Sequence, residues 1–262
     1  QLYYVPMLNL NKFIKTDFAI FRVAELYKEK IQREFATSFF NGYGTELNIF
    51  APGMPEWVDD QYKYLGKTTR ILREHTSNFT HGIYTPLLPA LSDSIWVNEW
   101  KTEHKNIYTI YSLIPQGFKD LLFEVGEKKG YHFVDVWHHT LLTPKEKNGK
   151  TYIEAHTSSF DHQFLGTNNE GEVDCIAQLP SIIEANIEHD SLFIKLSKPQ
   201  QIKVWAGTPS YEKTPKQFNA VANRLSLYTM FGRFEGNIVI QTFEKDELTD
   251  EYILTIRPGT PR

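Results

Sequence analysis

The residues best equipped for chemistry lie between Asn41 and Trp57. Asn41 and Tyr43 precede Glu46, and Phe50 and Trp57 follow it. A carboxyl group can give or take a proton, and an amide or a phenol can hydrogen-bond hydroxyls. Flat aromatic rings add an apolar platform. Such a set suits a hydroxyl-rich ligand. The run SFFNGYG (38–44) reads as a short buried strand ending in a glycine turn, with Glu46 just past it. Equally, Glu46 could cap the next element or pair with an arginine. Asp59 and Asp60 are candidates for a second carboxylate, but acids at a helix start are favoured by the helix dipole in any case.

A second group is histidine-rich: His132, His138, His139, His156 and His162. His138 and His139 are adjacent, so on a strand they face opposite sides. No HExxH or comparable spacing supports zinc, and no metal site is assigned. The oxygen-rich run TNNEGEVD (167–174), which contains Gly171, fits either a calcium loop or a solvated turn. No other cofactor is expected. Cys175 lies in an apolar run and reads as a small buried hydrophobe rather than a nucleophile. Ser158 and Ser159 lack a nucleophile elbow, and Gly-rich phosphate loops are absent.

These residues need elements to hold them, and the chain changes period part way along. Ile20, Ala24, Tyr27, Ile31 and Phe35 recur at helical spacing. After the 38–44 strand and a loop at 45–53, Val58, Tyr62, Leu65, Thr69 and Leu72 mark the face of a second helix. Residues 2–8 read as a parallel strand, and residues 82–91 as a last strand or an extended connection. From residue 93 onward the period is two: strands are expected at 95–100, 106–114, 121–125 and 131–137, with a type I′ hairpin turn at Asn148-Gly149. Further strands fall at 191–197, 201–207, 223–230, 237–243 and 251–257. Trp96, Trp100, Trp137 and Trp205 fall in strands, and at least two of them belong to the core.

Composition narrows the partners. The 28 basic and 32 acidic side chains are interleaved for a net charge of -4, so no basic stripe favours nucleic acid. No apolar run reaches the length of a membrane span. The aromatic content of 14% suits sugar-binding grooves and β-sandwich cores alike.

The stretches FFNGYGTE (39–46), DVWHHTLLTP (135–144), KVWAGTPSYEKTP (203–215) and GRFEGNIVIQTF to LTDEYILTIRPGTPR (232–262) resemble a family of large bacterial glycoside hydrolase-like proteins. The resemblance implies a multi-domain α/β plus all-β chain. Residues 1–92 would be the last elements of a (β/α)8 barrel, residues 93–182 a β-sandwich, and residues 183–262 an immunoglobulin- or fibronectin-like β-sandwich. It implies a role on poly- or oligosaccharide, with O-glycosyl hydrolysis as the reaction if the chain is active. Glu46 would be the catalytic carboxylate, and Asn41, Tyr43, Asn48, Phe50 and Trp57 would contact substrate. Asn48 and Ile49 stand where relatives carry Trp and Glu, so the second acidic position is missing. The alternative is a non-catalytic carbohydrate-binding or structural module. Further barrel strands are expected from an N-terminal part or another chain, and the resemblance favours a secreted, periplasmic or cell-surface location.

Overall fold

The computed structural model describes residues 8–15, 17, 22–26, 32–49, 58–160 and 171–257. Residues 2–7 of the predicted strand at 2–8, the sites Phe50, Trp57 and His162, and residues 167–170 of the oxygen-rich run fall outside these. Strand β1 (Arg22–Leu26), helix α1 (Gln32–Phe40) and strand β2 (Thr45–Ile49) come first, then helices α2 (Val58–Glu74) and α3 (Thr76–His81). β1 and β2 pair in parallel, from Arg22 opposite Thr45 to Leu26 opposite Ile49. This overturns two local expectations. The stripe from Ile20 to Phe35 is not one helix, because strand pairing claims its middle. The run SFFNGYG is not a strand but the end of α1 and the turn that stops it.

The stop has a steric cause. Gly42 takes φ +70, and a Cβ there would lie 2.8 Å from Phe79 Cδ1 and 3.0 Å from Trp100 Cη2. Only glycine tolerates both the backbone and the crowding. Phe35, Ala36, Phe39 and Phe40 of α1 are buried, a stripe one helical turn apart.

Everything after α3 is mainly strand. A six-stranded sheet runs in the order β3 (Ile83–Thr85), β4 (Ile95–Lys101), β5 (Asn106–Ser112), β11 (Glu172–Pro180), β7 (Tyr131–Asp135) and β8 (Thr140–Leu142). A three-stranded sheet holds β6 (Phe118–Glu124), β10 (Lys150–Thr157) and β9 (Lys145–Lys147). Ile95, Ile110, Leu122, Phe133, Ile153 and Ile176 fill the space between the two sheets. The helices cover the other face, where Phe39, Phe40 and Ile71 meet Trp100, Val173, Cys175 and Ala177. Strand β11 is therefore buried on both faces, and Cys175 is packing, as its apolar context predicts. Residues 82–91 bridge the layers: β3 pairs with β4, while Ala90 bridges to Phe123 of the smaller sheet. The turn at Asn148-Gly149 has φ +54 and +74, the two positive angles that a type I′ turn requires.

The C-terminal sheet contains β12 (Ile183–Glu188), β13 (Ser191–Ala206), β14 (Lys216–Ser226), β15 (Gly236–Glu244) and β16 (Glu247–Ile256), with a short helix α4 (Leu227–Phe231) after β14. The two strands expected at 191–197 and 201–207 are one long strand. Its pairing with β14 shifts register between Lys195 and Gln200, so a bulge absorbs Lys198-Pro199 without ending the ladder. The first half of β13 pairs with β12 and the second half with β15. The sheet bends there, brings β12 against β16 and encloses Ile183, Ile194, Ile202, Val204, Ile238 and Ile240. The two layers of this unit thus belong to a single hydrogen-bonded sheet. No helix among the described residues is long and apolar enough to cross a membrane.

A buried polar chain joins the three parts. Trp205 Nε1 donates to Gln241 Oε1 at 2.8 Å, and Gln241 Nε2 donates to Glu251 Oε2 at 2.7 Å. Glu251 Oε1 lies 2.7 Å from His139 Nδ1, and His139 Nε2 lies 3.0 Å from an Arg70 terminal nitrogen. Arg70 also bonds Glu74 at 2.8 Å. A guanidinium has no lone pair to offer, so His139 accepts from Arg70 at Nε2 and donates to Glu251 from Nδ1. All six side chains are buried. This network explains why the predicted face of α2 is rotated: Arg70 and Glu74 point inward, while Tyr62 is exposed.

Two outcomes follow for stability. Gly42→Ala loses about 2–3 kcal/mol in chemical denaturation, because the left-handed backbone and the ring contacts act together. Glu251→Ala strips a hydrogen-bond acceptor from both His139 and Gln241 in a dry site and costs about 3–5 kcal/mol. Hydrogen exchange then rises first in β15 and β16. Uniform protection in that variant would show that the network does not hold the last sheet.

Candidate functional site

The residues expected to form a sugar site part company in the structure. Asn41 is fully buried: its Oδ1 accepts the Asn9 N–H at 2.7 Å, and its Nδ2 donates to the Thr37 carbonyl at 2.8 Å. Tyr43 is buried directly after the α1 stop, and its N–H donates to the Ser38 carbonyl. Both serve the helix end. Glu46 does not follow a strand at 38–44. It is the second residue of β2, inside the segment expected to be a loop, and it is exposed. Asn48 shares the face of Glu46 and is half-buried. Leu47, on the opposite face, packs with Phe35 of α1 and Val58 of α2. Asp59 and Asp60 occupy the first turn of α2, where the dipole favours acids, and both are exposed.

A different constellation assembles where β7, β10 and β11 meet. Strand β7 ends at Asp135, and the DVWHH segment turns there instead of continuing as a strand to Trp137. Asp135 Oδ1 accepts the backbone N–H of Trp137 at 3.0 Å and of His138 at 2.7 Å, closing an Asx turn. Its Oδ2 lies 2.8 Å from His138 Nδ1. Asp174 of β11 comes within 3.5 Å of the same nitrogen. Asp174 also accepts the His156 N–H at 2.8 Å and the Cys175 N–H at 2.7 Å. The ring of His156 stacks on that of His138, with centroids 4.3 Å apart. His138 and His139 do diverge, as expected of neighbours, but because of a turn: His139, at φ +55, enters the Arg70–Glu251 chain.

The electrostatics follow from burial and proximity. Burial, then the neighbouring Asp174, raises Asp135 to about 7, against the pull of His138. Burial alone would lower His138, but hydrogen bonds to Asp135 and Asp174 overcome it and raise it to about 9. His156 moves the other way: burial, then the charge on His138, lowers it. The cluster thus holds an imidazolium between two carboxylates and a neutral imidazole stacked on it. Environments that push neighbouring groups apart separate acid from base. Asp135 and His156 line a cavity of about 220 Å³ together with Lys119, Thr140 and Glu154.

Single ligand atoms of Asp135, His138 and Asp174 lie within 4.8 Å of one another, close enough to share a cation. Each carboxylate already accepts two backbone N–H groups, and His138 supplies the positive charge itself. The oxygen-rich run offered for calcium contributes Asp174 and Glu172, and both point inward. Glu172 accepts from Tyr64 and Gln32, each at 2.8 Å. Sequence reasoning saw the histidines but not their carboxylates. The usable signal was Asp135 followed at the second and third positions by turn N–H groups, which marks an Asx turn.

The pH dependence has a definite sign. A histidine raised on folding contributes stability that is complete below its ordinary value of about 6.5 and is lost as pH rises through about 9. Asp135, also raised on folding, loses its share earlier, as pH climbs from the ordinary carboxylate range to about 7. His156 and Lys67, both lowered on folding, act with the opposite sign, so the contribution of His138 is read as a difference between wild type and variant. His138→Gln is about 3 kcal/mol less stable than wild type in urea at pH near 6, where the imidazolium is fully charged, and the deficit shrinks as pH rises through about 9. A deficit that stays constant to alkaline pH would contradict the assignment of charge to His138.

No protein-family model matches this chain, and no curated protein matches it. Among solved structures it is similar to a noncanonic maltogenic alpha-amylase, AmyB, from Thermotoga neapolitana, at 10% identity over 58% of this chain and 41% of that one, with a TM-score of 0.35. It is similar to a gamma-CGTase from Alkalophilic bacillus clarkii at 11% identity over 91% of this chain and 39% of that one, with a TM-score of 0.32. It is also similar to an alpha-amylase from H. orenii at 9% identity over 60% and 40%, with a TM-score of 0.34. The chain spans about two fifths of the length of each.

Proposed function

We propose that this chain is the C-terminal portion of a glycoside hydrolase-like protein acting on poly- or oligosaccharide. Residues 1–92 serve as the end of a (β/α)8 barrel, and the sheets behind them brace it. The observation that carries this reading is the β1–α1–β2–α2 order with parallel pairing of β1 and β2. Parallel strands joined through helices belong to larger sheets or barrels. Leu47 on the helix side, with Glu46 and Asn48 on the other, matches a barrel stave: apolar toward the helices and polar toward the lumen. A two-stranded parallel pair also has edges to fill, which further barrel strands from an N-terminal part or another chain would complete.

In this reading Glu46 supplies one carboxylate on the lumen face and Asn48 a substrate contact. Glycoside hydrolysis needs a second carboxyl group across the scissile bond, and the missing partner strands would carry it. The second reading, a non-catalytic carbohydrate-binding or structural module, is favoured by one observation. The Asn41 side chain is spent on the α1 stop and Tyr43 is buried, which leaves Glu46 with few of its expected companions.

The deciding measurement is reducing-end release from polysaccharides by the full-length protein and its Glu46→Gln variant. The barrel reading expects a loss of about a hundredfold or more with the fold intact. Unchanged turnover would remove Glu46 from the site. Unchanged glycan binding without turnover in either protein would favour the module.

A further inference from the structure

A cleft of about 560 Å³ lies between α2 and residues 208–212, and neither Glu46 nor the His138 cluster lines it. Lys67 lines it, and the Lys67 amine sits 3.9 Å from the Trp137 ring centroid. Lys67 makes no hydrogen bond or ion pair with any described residue. The carboxylates of Glu172, Asp135 and Asp174 act on it from further off without hydrogen-bonding it, so its N–H donors stay free for a ligand. Burial lowers it to about 8. Arg70 closes the base of the cleft: its terminal nitrogens serve Glu74 and His139, while its Nε has no partner. The hydroxyl of Ser210, on the facing segment, is likewise buried without a partner. Such groups cost free energy unless something satisfies them.

The rest of the lining narrows the ligand. Tyr62 and Tyr211 are both exposed and offer flat apolar faces. Gly66 leaves the space beneath Tyr211 open, since a Cβ there would only just reach that ring, at 3.5 Å. Asp59 and Glu212 also line the cleft. They repel a polyanion but accept hydrogen bonds from hydroxyls. Lys63 lines it too and is exposed. Two lysines set against two carboxylates, with two ring platforms, fit a ligand with one negative group and many hydroxyls.

We propose that this cleft binds a saccharide carrying a carboxylate, with the carboxylate on the Lys67 amine and the sugar ring against Tyr62 and Tyr211. The saccharide half rests on the carbohydrate reading above; the anion half rests on the free lysine alone.

The test is calorimetric titration of the full chain with an aldobiouronic acid, which carries a single uronate, with neutral maltooligosaccharides, inorganic phosphate and a short polyglutamate peptide. The uronate ligand is expected to bind and the neutral sugar to bind at least about tenfold more weakly. Lys67→Met keeps the stem against Trp137 and removes the charge; it should cut uronate binding by about tenfold or more. Tyr211→Ala, at an exposed position, should weaken it without altering the thermal melt. No uronate binding, or uronate binding untouched by Lys67→Met, overturns the site. That result leaves the barrel reading standing, because the barrel is judged by turnover through Glu46. Phosphate or peptide binding equal to that of the uronate overturns the saccharide half.

Discussion

The structure depends on a line of polar side chains threaded through a dry interior. Arg70, His139 and Glu251 come from a helix, a turn and the last strand, and each is the hydrogen-bond partner of the next. Burying such groups is costly unless every donor finds an acceptor, so the line tolerates few alternative arrangements. Hydrophobic packing alone would let the C-terminal sheet slide over its neighbours. The network fixes one position, and Gln241 and Trp205 extend it into the sheet. It also turns the outer edge of α2 toward residues 208–212, which is how Lys67 and Tyr62 come to line a cleft. A second set of ties runs alongside: Lys105 donates to the Leu248 carbonyl at 2.9 Å, and Glu247 accepts from Ser77.

The two charged sites treat charge differently. Around His138 the cation is enclosed by carboxylates and is satisfied within the fold. Around Lys67 the cation has an aromatic face beside it and carboxylates only at longer range, with no hydrogen bond to either. The first arrangement stabilises itself and senses pH; the second waits for a counter-charge from outside. Both use Trp137 and its neighbours, since the turn that begins at Asp135 places Trp137 under Lys67 and His138 against Asp174.

Legibility followed the range of the forces involved. Strands β4, β5, β7 and β15 were readable because alternation is written in adjacent residues, and Asn148-Gly149 because a two-residue turn needs that backbone. SFFNGYG misled because a short apolar run suits a strand or a helix end equally, and only the ring contacts at Gly42 decide between them. The inward face of α2 was misread because it is polar, and a search for apolar stripes passes over Arg70 and Glu74. Glu46 stood out as a carboxylate with suitable neighbours, yet the Asn41 amide was already committed to backbone partners and Tyr43 is buried. Asp174 joins His138 across a long stretch of chain, so no local pattern could pair them. Lys67 carries no sequence mark at all; its isolation is a property of the space around it.

The position of β11 has a consequence for how the molecule comes into being. It is the last strand of its sheet to leave the ribosome, yet it lies at the middle, between β5 and β7. Until it emerges, the layer exists as two separate fragments with unmated borders, β5 rich in isoleucine and tyrosine and β7 carrying tyrosine, phenylalanine and valine. Such borders invite neighbouring nascent chains, and closing them requires contacts between residues far apart along the polymer. The segment that completes the sheet is thus also the one whose delay most exposes the newborn protein to clumping.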